Sequence, residues 1–117
     1  MDERARDPQL LKGVLPLLVL ALLSRQESYG YELVTRLQEA GLADIATGTV
    51  YPVLTRLERE GQISSRLVAS SSGPARKYYR PTPAGAEALT AGTRAWADLG
   101  RTVDTVLRHT PHPQEGP

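Results

Sequence analysis

Residues 47–61 read Thr-Gly-Thr-Val-Tyr-Pro-Val-Leu-Thr-Arg-Leu-Glu-Arg-Glu-Gly, and the reading of this stretch decides the fold. It predicts a short helix with strong ends. Thr47 or Thr49 can cap the N-terminus. Pro52 suits the first turn, where its missing N–H costs nothing. Gly61 can take the left-handed conformation that closes a helix C-terminus. Val50, Val53, Leu54 and Leu57 form an apolar stripe at helical spacing. Thr49, Tyr51, Thr55, Arg56 and Arg59 are left for the other faces. Short polar and cationic side chains at the start of an exposed helix suit insertion into a DNA major groove. An ordinary amphipathic surface helix reads the same way in isolation, so the flanking segments decide between the two.

Upstream, residues 24–28 form a polar turn in which Ser28 can cap the next helix, residues 29–40. Its apolar positions are Tyr29, Leu33, Val34 and Leu37. Gly30 between two tyrosines predicts a close helix approach, against the C-terminal helix. Glu32 falls near the positive end of the helix dipole. No paired acid, nucleophile or metal cluster accompanies it, so no catalytic role follows. Gly41 ends the helix, and residues 42–46 connect it to the capped segment, which makes a helix-turn-helix candidate. Earlier still, Leu10, Leu11, Val14, Leu15, Leu18 and Leu22 belong to a first helix. Pro16 marks the first turn of its main part, with residues 10–15 as a looser entry. The near-continuous apolar run implies burial on most sides, by its own domain and by a partner helix.

Downstream, residues 62–68 predict a strand, residues 69–75 a turn through Ser70, Ser71, Ser72, Gly73 and Pro74, and residues 76–80 a return strand that Pro81 ends. Ile63 and Leu67 are candidate inward residues, and Tyr78 or Tyr79 faces away from its neighbour. This is a two-stranded wing directly after a helix-turn-helix. Arg76, Lys77 and Arg80 place three cations on its return strand, where they can neutralise phosphates or enter a minor groove. A small solubilising hairpin is the alternative. Thr82 or its turn leads into a C-terminal helix over residues 83–108, with Pro83 in the first turn. Ala86, Leu89, Ala95 or Trp96, Leu99, Val103 and Val106 give it an apolar face; Glu87, Arg94, Asp98, Arg101 and Asp104 face water. Leu89, Gly92, Trp96, Leu99, Val103 and Val106 follow alternating steps of three and four, a coiled-coil-like seam that Gly92 weakens. Such a seam on a small domain calls for a homodimer, with Leu89, Trp96, Leu99, Val103 and Val106 at the interface.

Composition limits the alternatives. The 117 residues suffice for one domain. Lys plus Arg number 14 against 13 Asp plus Glu, a formal charge of +1, so DNA contact must come from local patches. The absence of Cys excludes disulfides and thiolate metal sites and suits a reducing cytoplasm. Two His cannot make a three-His zinc site. Residues 15–23 are apolar but too short to span a bilayer, and a partly acidic start with no cleavage region argues against a signal peptide. The chain is therefore expected to be a cytoplasmic α+β protein, neither enzyme nor cofactor carrier. Residues 1–9 form a flexible N-terminal arm, 10–81 a winged helix-turn-helix DNA-binding domain, 82–108 a dimerisation helix and 109–117 a flexible tail whose histidines are solvated bystanders.

The pieces Leu11-x-Gly13, Tyr29-Gly30-Tyr31-Glu32-Leu33, Gly48-Thr49-Val50-Tyr51-Pro52, Arg56-Leu57-Glu58-x-x-Gly61 and Gly73-Pro74-x-Arg76-Lys77-Tyr78-Tyr79, in this order, resemble the PadR family of transcriptional regulators. Thr82-x-x-Gly85 extends the match, and the single long C-terminal helix resembles the family's smaller subclass. Pro16 departs from the pattern, as does Tyr29, where members often carry His. The resemblance implies a winged-helix repressor that binds palindromic operators as a dimer and responds to a small molecule, often phenolic or a drug. As a homodimeric DNA-binding repressor, the chain is expected to set Thr49, Tyr51, Pro52 and Arg56 at or near the major groove or its phosphates, and Arg76 and Lys77 in the wing contact. In the family's multidrug-binding branch, paired tryptophans of the long helix face each other across a central pore where planar ligands stack. Trp96, with Leu18, Val19 and Leu99 as apolar lining, is the matching candidate; dimer packing alone is the alternative use of Trp96. A winged helix used for protein contacts is the alternative to the whole DNA reading, and a ligand-independent repressor is the alternative to the effector.

Overall fold

In this computed structural model of the chain, residues 8–109 are described. Helix α1 (Pro8–Arg25) begins inside the expected arm; residues 1–7 of that arm and residues 110–117 of the tail lie outside the described residues. Contrary to expectation, Pro16 does not begin the main helical segment. The helix runs unbroken from Pro8 through it. A proline in a helix forfeits one backbone bond. Here Leu15, Val19, Leu20 and Leu23, none more than 3% exposed, hold the helix in the core across that gap.

Strand β1 (Ser28–Tyr29) follows, then helix α2 (Gly30–Glu39). Ser28 does not cap α2. The N-cap position is Tyr29, without a side-chain bond. Ser28 is buried, and its Oγ accepts from Arg36 Nη1 at 2.6 Å. The same guanidinium donates to Leu22 O at 2.7 Å and Gln26 O at 2.9 Å. One side chain of α2 thus ties the end of α1 to the start of β1, giving Leu22 O a second donor beside Gln26 N–H at 3.2 Å and engaging the Gln26 carbonyl just past the helix. Gly41, at φ 130, closes α2: its N–H bonds Gln38 O, and Leu42 N–H bonds Leu37 O. This is the paired-bond ending that needs a left-handed residue.

Helix α3 (Thr47–Arg59) is the predicted capped helix with a different start. Its N-cap is Ala46, not Thr47 or Thr49, and no side chain caps it. Because the helix starts at Thr47, Pro52 lies within it rather than in its first turn. The C-terminus is as expected. Gly61 has φ 78, and Gly61 and Gln62 N–H bond Glu58 O and Leu57 O at 3.0 and 2.9 Å.

Strands β2 (Ile63–Ser70) and β3 (Gly73–Pro81) form the wing. Ser70 pairs with Gly73, so most of the predicted turn is strand and only Ser71-Ser72 turns. β3 is central, in the order β1-β3-β2, and Tyr79 and Tyr78 pair with Ser28 and Tyr29. Ile63 and Tyr79 enter the core. Leu67 does not: it is 73% exposed, because the hairpin extends past the helices that cover its base.

Helix α4 (Pro83–Arg108) matches its predicted span. Thr82 caps it, accepting from Gly85 N–H at 3.1 Å while donating to Gly61 O at 2.6 Å. A Cβ on Gly85 would lie 1.9 Å from Gln62 O, so only glycine lets α4 start this close to the α3–β2 corner. Farther along, Gly92 touches Leu17 of α1. Beyond Gly92, Trp96, Leu99, Val103, Val106 and Leu107 are 43–61% exposed. This half of α4 leaves the domain, whose core joins α1, α2, α3 and the sheet base.

Candidate nucleic-acid interface

Each residue turns an α-helix by about 100°. With Val50, Leu54 and Leu57 buried, the opposite face of α3 carries Gly48, Pro52, Thr55 and Arg59, all exposed. Thr49 and Arg56 flank this face on the α1 side, where α3 borders a cleft of about 590 Å³. The cleft is lined by Leu11, Leu15 and Pro16 on one wall and Pro52 and Val53 on the other. Tyr51 flanks the opposite side. Its ring lies over Gly30, where a Cβ would come within 2.5 Å of it. The close approach at Gly30 is therefore to α3 and not, as expected, to the C-terminal helix. Of the sequence-predicted residues on α3, Thr49, Tyr51, Pro52 and Arg56 are all exposed. Arg56 Nε is 3.2 Å from Glu60 Oε2. Thr55 and Arg59, outside the expected set of DNA residues, share this exposed face. The apolar stripe already implied them, since both lie opposite it.

The wing cations differ in their surroundings. The Arg76 guanidinium stacks 4.5 Å over the Tyr29 ring, which meets Tyr78 edge-on at 5.4 Å. Tyr29 thus holds a wing arginine from β1, an element that sequence reasoning missed. Arg66 pairs with Glu27. That hydrogen bond is the first cause holding the Glu27 carboxyl below its ordinary value. Lys77 lies on the Tyr79 face of β3, its Nζ 3.1 Å from Glu58 Oε1 and 5.4 Å over the Tyr79 ring. Ser65 Oγ donates to Glu58 Oε2 at 2.6 Å. The Ser65 hydrogen bond first, and Lys77 after it, keep the Glu58 carboxyl below its usual range against partial burial. The Glu58 bond in turn raises Lys77. Burial raises the Tyr79 phenol. Arg80 is exposed.

The predicted ligand residues separate. Trp96 and Leu99 are exposed on α4, and Leu18 is half-buried on α1. Val19 is fully enclosed in the core and has no surface to offer a ligand. On the predicted seam, Leu89 is half-buried against its own core, while Val103 and Val106 are exposed. Among the described residues no group of three His, Asp or Glu could hold a metal, and no helix is long and apolar enough to cross a membrane.

A helix-turn-helix with an exposed outer helix, followed by a basic hairpin, defines a winged helix-turn-helix DNA-binding protein. The chain belongs to the PadR-like family of transcriptional regulators, whose model matches residues 19–91. It is 41% identical to a PadR-like transcriptional regulator from Bacillus cereus whose crystal structure superposes with a TM-score of 0.77, covering 87% of this chain and 99% of that one. A PadR-family regulator from Eggerthella lenta is 35% identical, with a TM-score of 0.80, covering 87% of this chain and 88% of that one. Transcriptional regulator Rv3488 of Mycobacterium tuberculosis is 46% identical over 68 residues, 56% of this chain and 61% of that protein. Members of this family are DNA-binding transcriptional regulators, not enzymes, and the chain is of that class.

Proposed function

We propose that the chain is a ligand-responsive transcriptional repressor that binds palindromic operator DNA as a homodimer. The observation that carries this reading is a pairing of two exposed surfaces on one small domain. One is the polar outer face of α3 with its wing. The other is the apolar stripe Trp96, Leu99, Val103 and Val106 on a helix that has left its own core. Exposed apolar residues in a continuous row mark an interaction face. A second copy covers it symmetrically, which also sets two α3 helices at a fixed separation for two half-sites. Thr49, Tyr51, Pro52, Arg56 and Arg76 meet the groove or its phosphates, with Thr55 and Arg59 added by the helix geometry. Trp96 and its symmetry mate stack a planar apolar or phenolic effector, with Leu99 and Leu18 beside them. Effector binding releases the operator by favouring a dimer whose α3 spacing no longer fits.

The test is Leu99→Asp. Removing two symmetry-related buried leucines costs about 3–6 kcal/mol of dimer stability before the carboxylates are counted, or roughly 10²–10⁴-fold in dissociation constant. Sedimentation should show monomer where wild type is dimer, and affinity for a two-half-site operator should collapse. A folded variant with wild-type mass and operator affinity would refute the interface. A winged helix serving protein contacts instead would bind every duplex weakly and without sequence preference.

A further inference from the structure

We infer that Lys77 does not contact DNA but positions the wing, clamping β3 and β2 to the recognition helix through Glu58 and Ser65. The inference rests on the DNA-binding reading and changes the part that one of its expected residues plays.

Three elements meet at the Glu58 carboxylate. Glu58 stands in the last turn of α3, just before the Gly61 turn that feeds β2. One oxygen accepts from Ser65 of β2 at 2.6 Å, and the other is 3.1 Å from Lys77 of β3. The Lys77 ammonium also lies over the Tyr79 ring, on the sheet face whose base enters the core. Both oxygens of Glu58 are engaged, and the Lys77 charge is already matched. A cation gains most from a phosphate when it releases counterions on binding. Here contact with phosphate would instead strip Glu58 of its ammonium partner. Arg76, Tyr78 and Arg80 alternate onto the opposite face of the strand from Lys77 and Tyr79.

The clamp matters because few buried contacts fix the outer wing, whose other face is held to β1 and its approach by the Arg66–Glu27 pair and by Arg76 over Tyr29. The apolar anchors of the hairpin, Ile63 and Tyr79, sit at its base, and Leu67 beyond them is exposed. A partly exposed ion pair adds little to global stability. It can still decide the local opening of an element with few buried contacts. The angle between wing and α3 determines whether Arg76 meets the duplex while α3 occupies the groove, so a slack wing weakens operator binding more than random binding.

The experiment compares Lys77→Met, Glu58→Gln and the exchanged pair Glu58→Lys with Lys77→Glu, using Arg59→Ala as the reference for a lost DNA contact, which should make the salt slope shallower and leave wing exchange unchanged. Hydrogen exchange is first read on the DNA-free dimer. Both single variants should speed exchange of the β2–β3 amides beyond Ser65, and the exchanged pair should restore protection. Salt-titrated binding is then read on operator and random duplex. Lys77→Met should lose about tenfold on operator and little on random DNA, with its log–log salt slope unchanged, whereas a lost phosphate contact makes the slope shallower by about 0.9. Unchanged exchange in the single variants, or a Lys77→Met slope shallower by that amount with equal losses on both duplexes, overturns the clamp. A wild-type protein that cannot tell operator from random DNA would overturn the proposed function instead, and the exchange data would still decide the clamp.

Discussion

Gly85→Ala should be among the most damaging single-methyl changes in this chain. The added Cβ would sit 1.9 Å from the Gln62 carbonyl oxygen and 3.0 Å from its carbon. Ordinary contact lies beyond 3.4 Å, so the start of α4 and the α3–β2 corner must separate by more than an ångström. Neither side is a flexible side chain. The same Gln62 oxygen accepts from Thr82 N–H at 3.0 Å, and Thr82 bonds Gly61 O and Gly85 N–H. Overpacking of this kind costs about 1–3 kcal/mol, and one or two lost hydrogen bonds add roughly 0.5–1.5 kcal/mol each. The sum, about 1.5–6 kcal/mol, is a large share of the ~5–15 kcal/mol that holds a domain folded. Gly13→Ala is the matched control, since nothing lies within 4 Å of its Cβ position on α1. It should stabilise by about 0.5–1 kcal/mol through helix propensity. Thermal unfolding at one protomer concentration, so that dimerisation is held constant, should show Gly85→Ala melting at least about 6 °C below wild type and Gly13→Ala at or above it. A Gly85→Ala protein as stable as wild type, with unchanged α4 exchange protection, would refute the close-contact argument.

Other outcomes follow from the same structure. Trp96→Ala should weaken effector binding and induction while sparing much operator binding if the dimer survives; intrinsic fluorescence of the wild-type protein, whose only Trp is Trp96, finds the effector, and calorimetry compares its affinity for the variant. An effector that binds equally well to the variant would place its site elsewhere. The Glu58 carboxyl is held below its ordinary value of 4.5. Its contribution is therefore full above that value and lost as pH falls through the depressed one. Glu58→Gln should accordingly flatten the acid limb of wing protection in hydrogen exchange between about pH 5 and pH 2; parallel acid limbs would contradict the assignment. Gly30→Ala should displace the Tyr51 ring and lower operator affinity more than it lowers stability, and equal melting and equal binding would show that the ring moves aside freely.

What the sequence made legible was whatever rests on local rules. Thr82 and Pro83 announced the start of α4, and Gly41 and Gly61 announced helix ends, because each answers a backbone need within a few residues. The start of α3 misled, because threonines that could have capped were already inside the helix, behind Ala46. Pro16 misled because core packing around Val19 outweighed the bond it forfeits. β1 was invisible: two residues carry no alternation, and their pairing partner lies about fifty residues away in the wing. At the site, charge and position identified the wing cations but not their partners. Glu27, Tyr29 and Glu58 sit on other elements, and only the fold brings them beside Arg66, Arg76 and Lys77. Likewise Val19 read as a lining residue because its run is apolar on most sides, whereas the fold gives that side chain wholly to the core.

The central claim, operator recognition by a dimer through α3 and its wing, is tested most directly by selecting bound duplexes from a randomised pool and measuring the winners against random DNA at fixed salt. The account predicts an inverted repeat whose half-site centres lie about 10 bp, or a multiple of that, apart. Affinity for it should be at least about 10³-fold above random DNA, falling sharply when one half-site is scrambled. A pool that yields no repeat, with affinity indifferent to sequence and to the loss of a half-site, would contradict it.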